Sequence, residues 1–458
     1  MKKIKIGSRA RDNGFSIFVD NKKYTFNYPN KIWQRFPKEL RKKFSETAAY
    51  YFTFHTNITK QKPLTYSFAP PSQHSLFFQG YLYAAAAANV EIPNRKLNPI
   101  EIIKQIYNAG YFSEFTLIPS PRRTTRDFIT KPQMISMPFT FGKDSLLTFG
   151  LSQELGFQTE LIYFAEPTSP LETKYKKELA LKFFREFHSK VQFVENTLGH
   201  VRQKDNLMWG WDMLVTQYTL LLIPYLWHNR SRYLFWSHEQ SVNSGDGVDR
   251  GFRINVSHEQ SSQWMLHLNN LLHDFSAATQ LGSILEPLQE ISIMYILHKR
   301  FPNLGKYQHS CLGDRKNKLN SRWCGNCYEC VRVYLFLRAI GIDPLNVGFN
   351  QNLFSKSKRK HFLIFEDKEL EHREKTFDHY SERMLAFYLA YQRGFRSGVI
   401  TLFEQYYLPL VKQNIKNLAT FYTKQFPGLT VPSELSKTLG SIYQKELAAF
   451  YKEIMRVR

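Results

Sequence analysis

Two short stretches of this chain bring together residue types that do chemistry. The first is Thr140-Phe141-Gly142-Lys143-Asp144-Ser145. Gly142 lets the backbone approach a phosphate closely, Lys143 offers a cation and Ser145 a hydroxyl. A helix opening here would aim its free N–H groups and positive dipole end at the same anion. Asp144 would repel a phosphate unless a divalent cation such as Mg2+ stands between them. The G-x-x-x-x-G-K-S/T spacing of a Walker loop is absent, and an ordinary strand-to-helix turn capped by Asp or Ser would use the same residues without a ligand. The second stretch holds all four cysteines, Cys311, Cys324, Cys327 and Cys330, spaced C-x12-C-x2-C-x2-C. Thiols gathered this way predict a metal site rather than disulfides. Four thiolates suit a tetrahedral Zn2+ in a structural role, because they leave no open coordination position. The C-x2-C-x2-C run keeps an iron–sulfur cluster as the alternative. Arg315, Lys316, Lys318 and Arg322 would ease the negative charge, and Trp323 would form a lid.

Strands and helices must position these groups. Ile135, Met137 and Phe139 alternate as a buried strand does, and Leu146, Leu147, Leu151 and Leu155 recur at helical spacing before Gly156, a C-cap residue. Beyond them the pattern predicts a strand over 159–164, a helix over 171–188, a strand over 191–194, a helix over 206–227 and a strand over 232–236. Such alternation implies a parallel sheet covered on both faces, with ligands at the carboxyl ends of its strands. The pentapeptide S-H-E-Q-S occurs at 237–241 and again at 257–261. In the first copy Glu239, with Asn243 beyond it, leaves a strand on the binding edge and leads into the loop 244–247. His238 there is a weak candidate acid or base. The second copy reads as a helix start with Ser257 as its N-cap. Residues 282–287 read as a short strand and turn into a helix over 288–300.

The chain has 458 residues, enough for two or three domains, and no signal peptide or membrane-length apolar run is expected, so the expectation is a cytoplasmic protein. The net charge is +23, and the first 62 residues hold 15 Lys or Arg against 4 Asp or Glu. That balance attracts phosphate-rich partners such as tRNA or nucleotides, although no RNA-reading motif accompanies it. Residues 1–130 read as a basic α+β domain, with a hairpin over 13–30, a helix over 37–55 and further helices at 84–88 and 101–108, the last closed by Gly110. A polar segment, 120–127, marks its end. The loop and the cysteines fall in a second domain, 131–345, and a helical extension follows over 346–458. There, Phe387, Tyr388, Tyr391 and Phe395 form one stripe that reads as core or as the interface of a homo-oligomer.

The loop resembles the S-G-G-x-D-S loop of the PP-loop ATP pyrophosphatases. Thr140 stands at the first position, Phe141 replaces the first glycine, and Gly142, Asp144 and Ser145 match. With four cysteines following, the last three as C-x2-C-x2-C, and the run C-V-R-V-Y-L-F-L-R-A-I-G-I-D-P over 330–344, residues 132–345 resemble 7-cyano-7-deazaguanine synthase and its relatives. A larger relative, the ATP-dependent epimerase of the muramoyl-alanyl-glutamate precursor, shares these motifs and a comparable length. The resemblance implies an α/β fold with a parallel-sheet PP-loop core and a four-cysteine zinc module. It also implies ATP, Mg2+ and Zn2+ as cofactors, and adenylation of a substrate carboxylate with release of AMP and pyrophosphate. Thr140, Gly142, Lys143, Asp144, Ser145, Glu239 and Asn243 would bind the nucleotide, and Lys143, Asp144 and Ser145 would act in catalysis. The extra length suggests a tRNA or protein acceptor. A tRNA-modifying PP-loop enzyme and a non-catalytic zinc-bearing interaction protein are the other expectations.

Overall fold

The computed structural model describes residues 3–60, 62–91, 99–111, 113–119, 126–202, 213–243, 247–249, 252–255, 257–311, 322–365 and 377–456. The K-I-K-I alternation at the start builds a strand that the sequence reading passed over. β1 (Ile4–Arg11) pairs antiparallel with β2 (Gly14–Val19), and β2 with β3 (Lys22–Asn27). Asp20 takes a left-handed conformation in the β2–β3 turn, which Asp tolerates better than most residues. β4 (Leu64–Tyr66) and β5 (Ser113–Phe115) add in parallel, so the sheet is mixed with order β3-β2-β1-β4-β5. α1 (Lys38–Thr53) covers it with the predicted stripe Leu40, Phe44, Ala48 and Phe52, all buried. The helix predicted to stop at Gly110 runs from Pro99 to Tyr111, so Gly110 lies inside its last turn. Residues 120–125 of the expected linker lie outside the described residues.

The second sheet is parallel throughout. Its strands are β6 (Lys131–Pro138), β7 (Gln158–Ala165), β8 (Val191–Glu195), β9 (Ser231–Phe235) and, beyond the short hairpin β10 (Gly247–Asp249) and β11 (Phe252–Ile254), β12 (Gln280–Gly282). The order β12-β9-β6-β7-β8 means that the chain builds outward from β6 on one side and then returns to build on the other. The direction of winding therefore reverses between β6 and β9, and a crevice opens at their carboxyl ends. α2 (Lys143–Glu154), α3 (Pro170–Phe187) and α4 (Leu214–Asn229) link these strands. The last begins later than predicted, and residues 203–212 ahead of it are outside the described set.

Side chains alternate strictly between two cores, as the two-residue period of a strand requires. On β7, Leu161 and Tyr163 join a cluster with Phe183, Ile293, Phe387 and Leu447, whereas Ile162 and Phe164 join one with Phe15, Phe44, Leu220 and Trp264. Burial is thus continuous across residue 130 on one face and across residue 345 on the other. α5 (Ser262–Asp274) lies on the N-terminal side. α6 (Glu290–Arg300), α7 (Tyr328–Ala339), α8 (Phe377–Gln392), α9 (Leu408–Tyr422) and α10 (Ser433–Arg456) lie on the other. Phe387 and Tyr388 are buried, while Tyr391 and Phe395 are half-buried against the same core, so the stripe predicted as core or interface is core. Among the described residues, no helix is long and apolar enough to cross a membrane.

Candidate active-site loop and cysteine module

β6 delivers the chain to the crevice, and the backbone must turn sharply to start α2. Phe141 makes that turn at φ +59°, a conformation that only glycine adopts freely. Its ring compensates: it is fully buried, with edge contacts to Phe139 at 4.8 Å and Phe183 at 5.7 Å. Gly142 then occupies the N-cap of α2 and brings no side-chain cap to the first N–H groups of the helix. Ser145 Oγ donates to the Gly142 carbonyl (3.1 Å) and accepts from the Thr140 N–H (3.3 Å), closing the loop on itself. These bonds draw Thr140, Gly142 and Ser145 together around an open helix N-terminus.

Lys143 does not reach outward. Its buried ammonium lies 2.7 and 2.9 Å from the two oxygens of Asp144, 3.0 Å from Glu239 and 3.6 Å from Glu290. Glu239 comes from the segment after β9, across the crevice, and Glu290 opens α6. Arg332 of α7 closes the far side with bonds to Glu290 (2.9 Å) and Glu329 (2.6 Å). Glu382 of α8 accepts from the Ile291 N–H (2.7 Å), so a carboxylate from the C-terminal extension caps α6 at the edge of the cluster. Burial would lower the Lys143 pKa, but Asp144, Glu239 and Glu290 more than reverse this and hold it raised. Burial pushes Glu239 up to about 7 against the pull of Lys143, and burial with Glu290 and Glu239 pushes Glu382 up to about 8. Carboxyl groups poised near neutrality beside a cleft are common at sites that move protons or bind cations.

The other predicted residues are placed as follows. Asn243 Oδ1 accepts from the Ser262 N–H (2.8 Å) and Oγ (3.0 Å), fixing the start of α5 rather than facing the loop. His238 is buried 3.9 Å from Glu286, and burial lowers its pKa to about 4, so it is neutral at ordinary pH. The second S-H-E-Q-S copy does start a helix, but the cap is its last serine: Ser261 accepts from the Trp264 N–H, whereas Ser257 makes no capping bond. Glu259 of that copy accepts instead from Val215 and Thr216 at the N-terminus of α4. Glu290, Arg332 and Glu382 were missed by the sequence reading. An acid at the predicted start of a helix was the one signal for Glu290; nothing local marks the other two.

The four cysteine sulfurs all lie within 4.8 Å of one another and form a group that could hold a metal ion. Cys324 and Cys330 are 3.8 Å apart, too far for a disulfide. Backbone N–H groups of Cys324, Gly325, Asn326 and Cys330 point at the sulfurs at 3.3 to 3.4 Å, which favours thiolates. Gly325 is left-handed (φ +61°), a conformation that favours glycine in the C-G-N-C turn. Arg322 does not face the thiolates: its guanidinium bonds the carbonyls of Lys306 and Gln308. Trp323 stacks on Phe349 at 4.3 Å and donates to the Val347 carbonyl, so it belongs to the core beside the module rather than forming a lid. Arg315, Lys316 and Lys318 lie outside the described residues.

A cleft of about 580 Å³ lies at the carboxyl ends of β7 and β8, lined by Glu166, Pro167, Lys174, Lys177, Asn196 and His200 among others. A larger groove of about 760 Å³, between α9 and α10, holds none of the predicted site residues. No protein-family model and no curated protein matches the chain.

Proposed function

We propose that this chain is an ATP-using enzyme of the PP-loop pyrophosphatase kind, which adenylates a substrate carboxylate and releases pyrophosphate. One observation carries the reading: the Thr140–Ser145 loop and the uncapped N-terminus of α2 lie at the switch point of a parallel sheet, facing Glu239 from the segment that follows β9 across the crevice. In this reading the phosphates rest on the N–H groups of α2 and the Ser145 hydroxyl. The nucleoside extends into the cleft at the ends of β7 and β8. Asp144 would hold Mg2+, which neutralises phosphate charge when bound. A carboxylate oxygen of the substrate attacks the α-phosphorus, the bond to the bridging oxygen breaks, and pyrophosphate leaves an acyl-adenylate. Lys143, released from its carboxylates as the phosphates enter, stabilises the charge that gathers on them.

The same reading assigns Zn2+ to the cysteine module. A Zn–S bond of about 2.3 Å sets the edges of a tetrahedron at about 3.8 Å, the separation of Cys324 and Cys330. Sulfurs within 4.8 Å of one another support Zn2+ over the wider spacing of an iron–sulfur cluster. The substrate class we favour is a 7-deazaguanine carboxylate, and the net charge of +23 would suit a nucleic-acid or protein acceptor with acidic character. Pyrophosphate release with 7-carboxy-7-deazaguanine, compared with release without it and with Asp144→Ala, tests this. Release should depend on the acid and fall at least about a hundredfold in the variant; release indifferent to both would overturn it.

A further inference from the structure

We infer that the cysteine module is the clamp that keeps the 140–145 loop in shape, and that His309 is the positioning residue between them. Phe141 holds a left-handed backbone conformation (φ +59°) that a non-glycine residue adopts only under strain, so the surroundings must enforce it. Its ring is enforced by Phe139 and Phe183. Its peptide is enforced by the His309 backbone N–H, which donates to the Phe141 carbonyl at 2.7 Å. Next along the chain, Ser310 Oγ lies 3.8 Å from where a Gly142 side chain would begin, and Cys311 follows at once.

The segment that carries this contact is itself stapled to the other cysteines. His309 Nε2 bonds the Arg322 carbonyl (2.8 Å), and Arg322 returns bonds to the Lys306 (2.9 Å) and Gln308 carbonyls. The Cys324 N–H donates to Cys311 Sγ (3.3 Å). A metal held by Cys311 and by Cys324, Cys327 and Cys330 would lock residues 306–311 to 322–330, and through His309 it would lock the loop. The metal's contribution is then to preorganise a site it does not touch. This rests on the proposed function only for the identity of the loop's ligand; the coupling itself needs no nucleotide.

The test is amide hydrogen exchange on the full chain without nucleotide, zinc-loaded and after chelation, with metal content measured alongside. Chelation should speed exchange of the hydrogen-bonded Thr140, Leu146 and His309 amides about tenfold or more while those of β7 keep their protection. In case chelation unfolds the whole chain, His309→Ala, which cuts the side-chain staple to Arg322, provides the second arm. It should keep its zinc and still unfold cooperatively, at a lower melting temperature, yet speed the same amides more than those of β7, and His309→Gln, which restores a side-chain donor, should slow them again. Unchanged exchange at Thr140, Leu146 and His309 in the metal-free protein would overturn the inference. So would a His309→Ala variant whose loop is as protected as the wild type.

Discussion

Glu382 and Glu239 keep protons in the fold that they would surrender in the unfolded chain, since burial and neighbouring carboxylates raise them to about 8 and about 7 from the ordinary 4.5. Between pH 4.5 and 8 these two carboxyls therefore bind more protons in the folded chain than in the unfolded one, and their own contribution to stability falls as pH rises through that window, opposite to that of the buried histidines such as His238. Glu382→Gln keeps an oxygen for the Ile291 N–H and removes the titration. Urea unfolding at about pH 5, 6.5 and 8 should show the variant gaining stability relative to wild type as pH rises, by up to about 1.4 kcal/mol per pH unit, with the variant more stable than wild type at the highest pH. An unchanged slope would show that the proton resides elsewhere. Lys143, Asp144, Ser145 and Glu239 were legible in the sequence because a loop after a strand announces them. Arg332 and Glu382 were not, because a charge on an amphipathic helix looks the same whether it faces solvent or a carboxylate from a distant segment.

Among the elements, β6, the loop and α2 were readable from periodicity alone, and their weak point is Phe141. Phe141→Gly would relieve a strained backbone by about 1 kcal/mol and lose a buried ring worth about 3–5 kcal/mol. The variant should be less stable by about 2 kcal/mol or more in urea unfolding, although glycine is the residue the backbone angle favours. A glycine variant as stable as wild type would mean that the aromatic cluster does not anchor the turn. Capping was harder to read. Both Ser257 and Ser261 can accept from a helix N–H, and the choice of Ser261 is set by where α5 packs, through Asn243 and Glu286 on Ser262. Likewise, nothing in S-H-E-Q-S foretold that Glu259 would cap α4.

For the whole molecule, composition and pattern suggest three segments, but they do not show the shared cores that cross both boundaries. A single strand shows its period; it does not show which distant helix covers each face. Because Leu161 and Tyr163 pack with Phe387 and Leu447 while Ile162 and Phe164 pack with Phe15 and Phe44, neither flank can be removed cleanly. Chains ending at 345 or beginning at 131 should be insoluble or cleaved rapidly by protease, since each exposes one face of the sheet and a large apolar surface. A stable, protease-resistant 131–345 fragment would contradict the two-core architecture. The proposed adenylation would break ATP between its α- and β-phosphates at the loop between β6 and α2. Resolving the products by phosphorus NMR, with ATP, Mg2+ and a 7-deazaguanine carboxylate, tests this directly. AMP and pyrophosphate are predicted; ADP and inorganic phosphate would contradict the account.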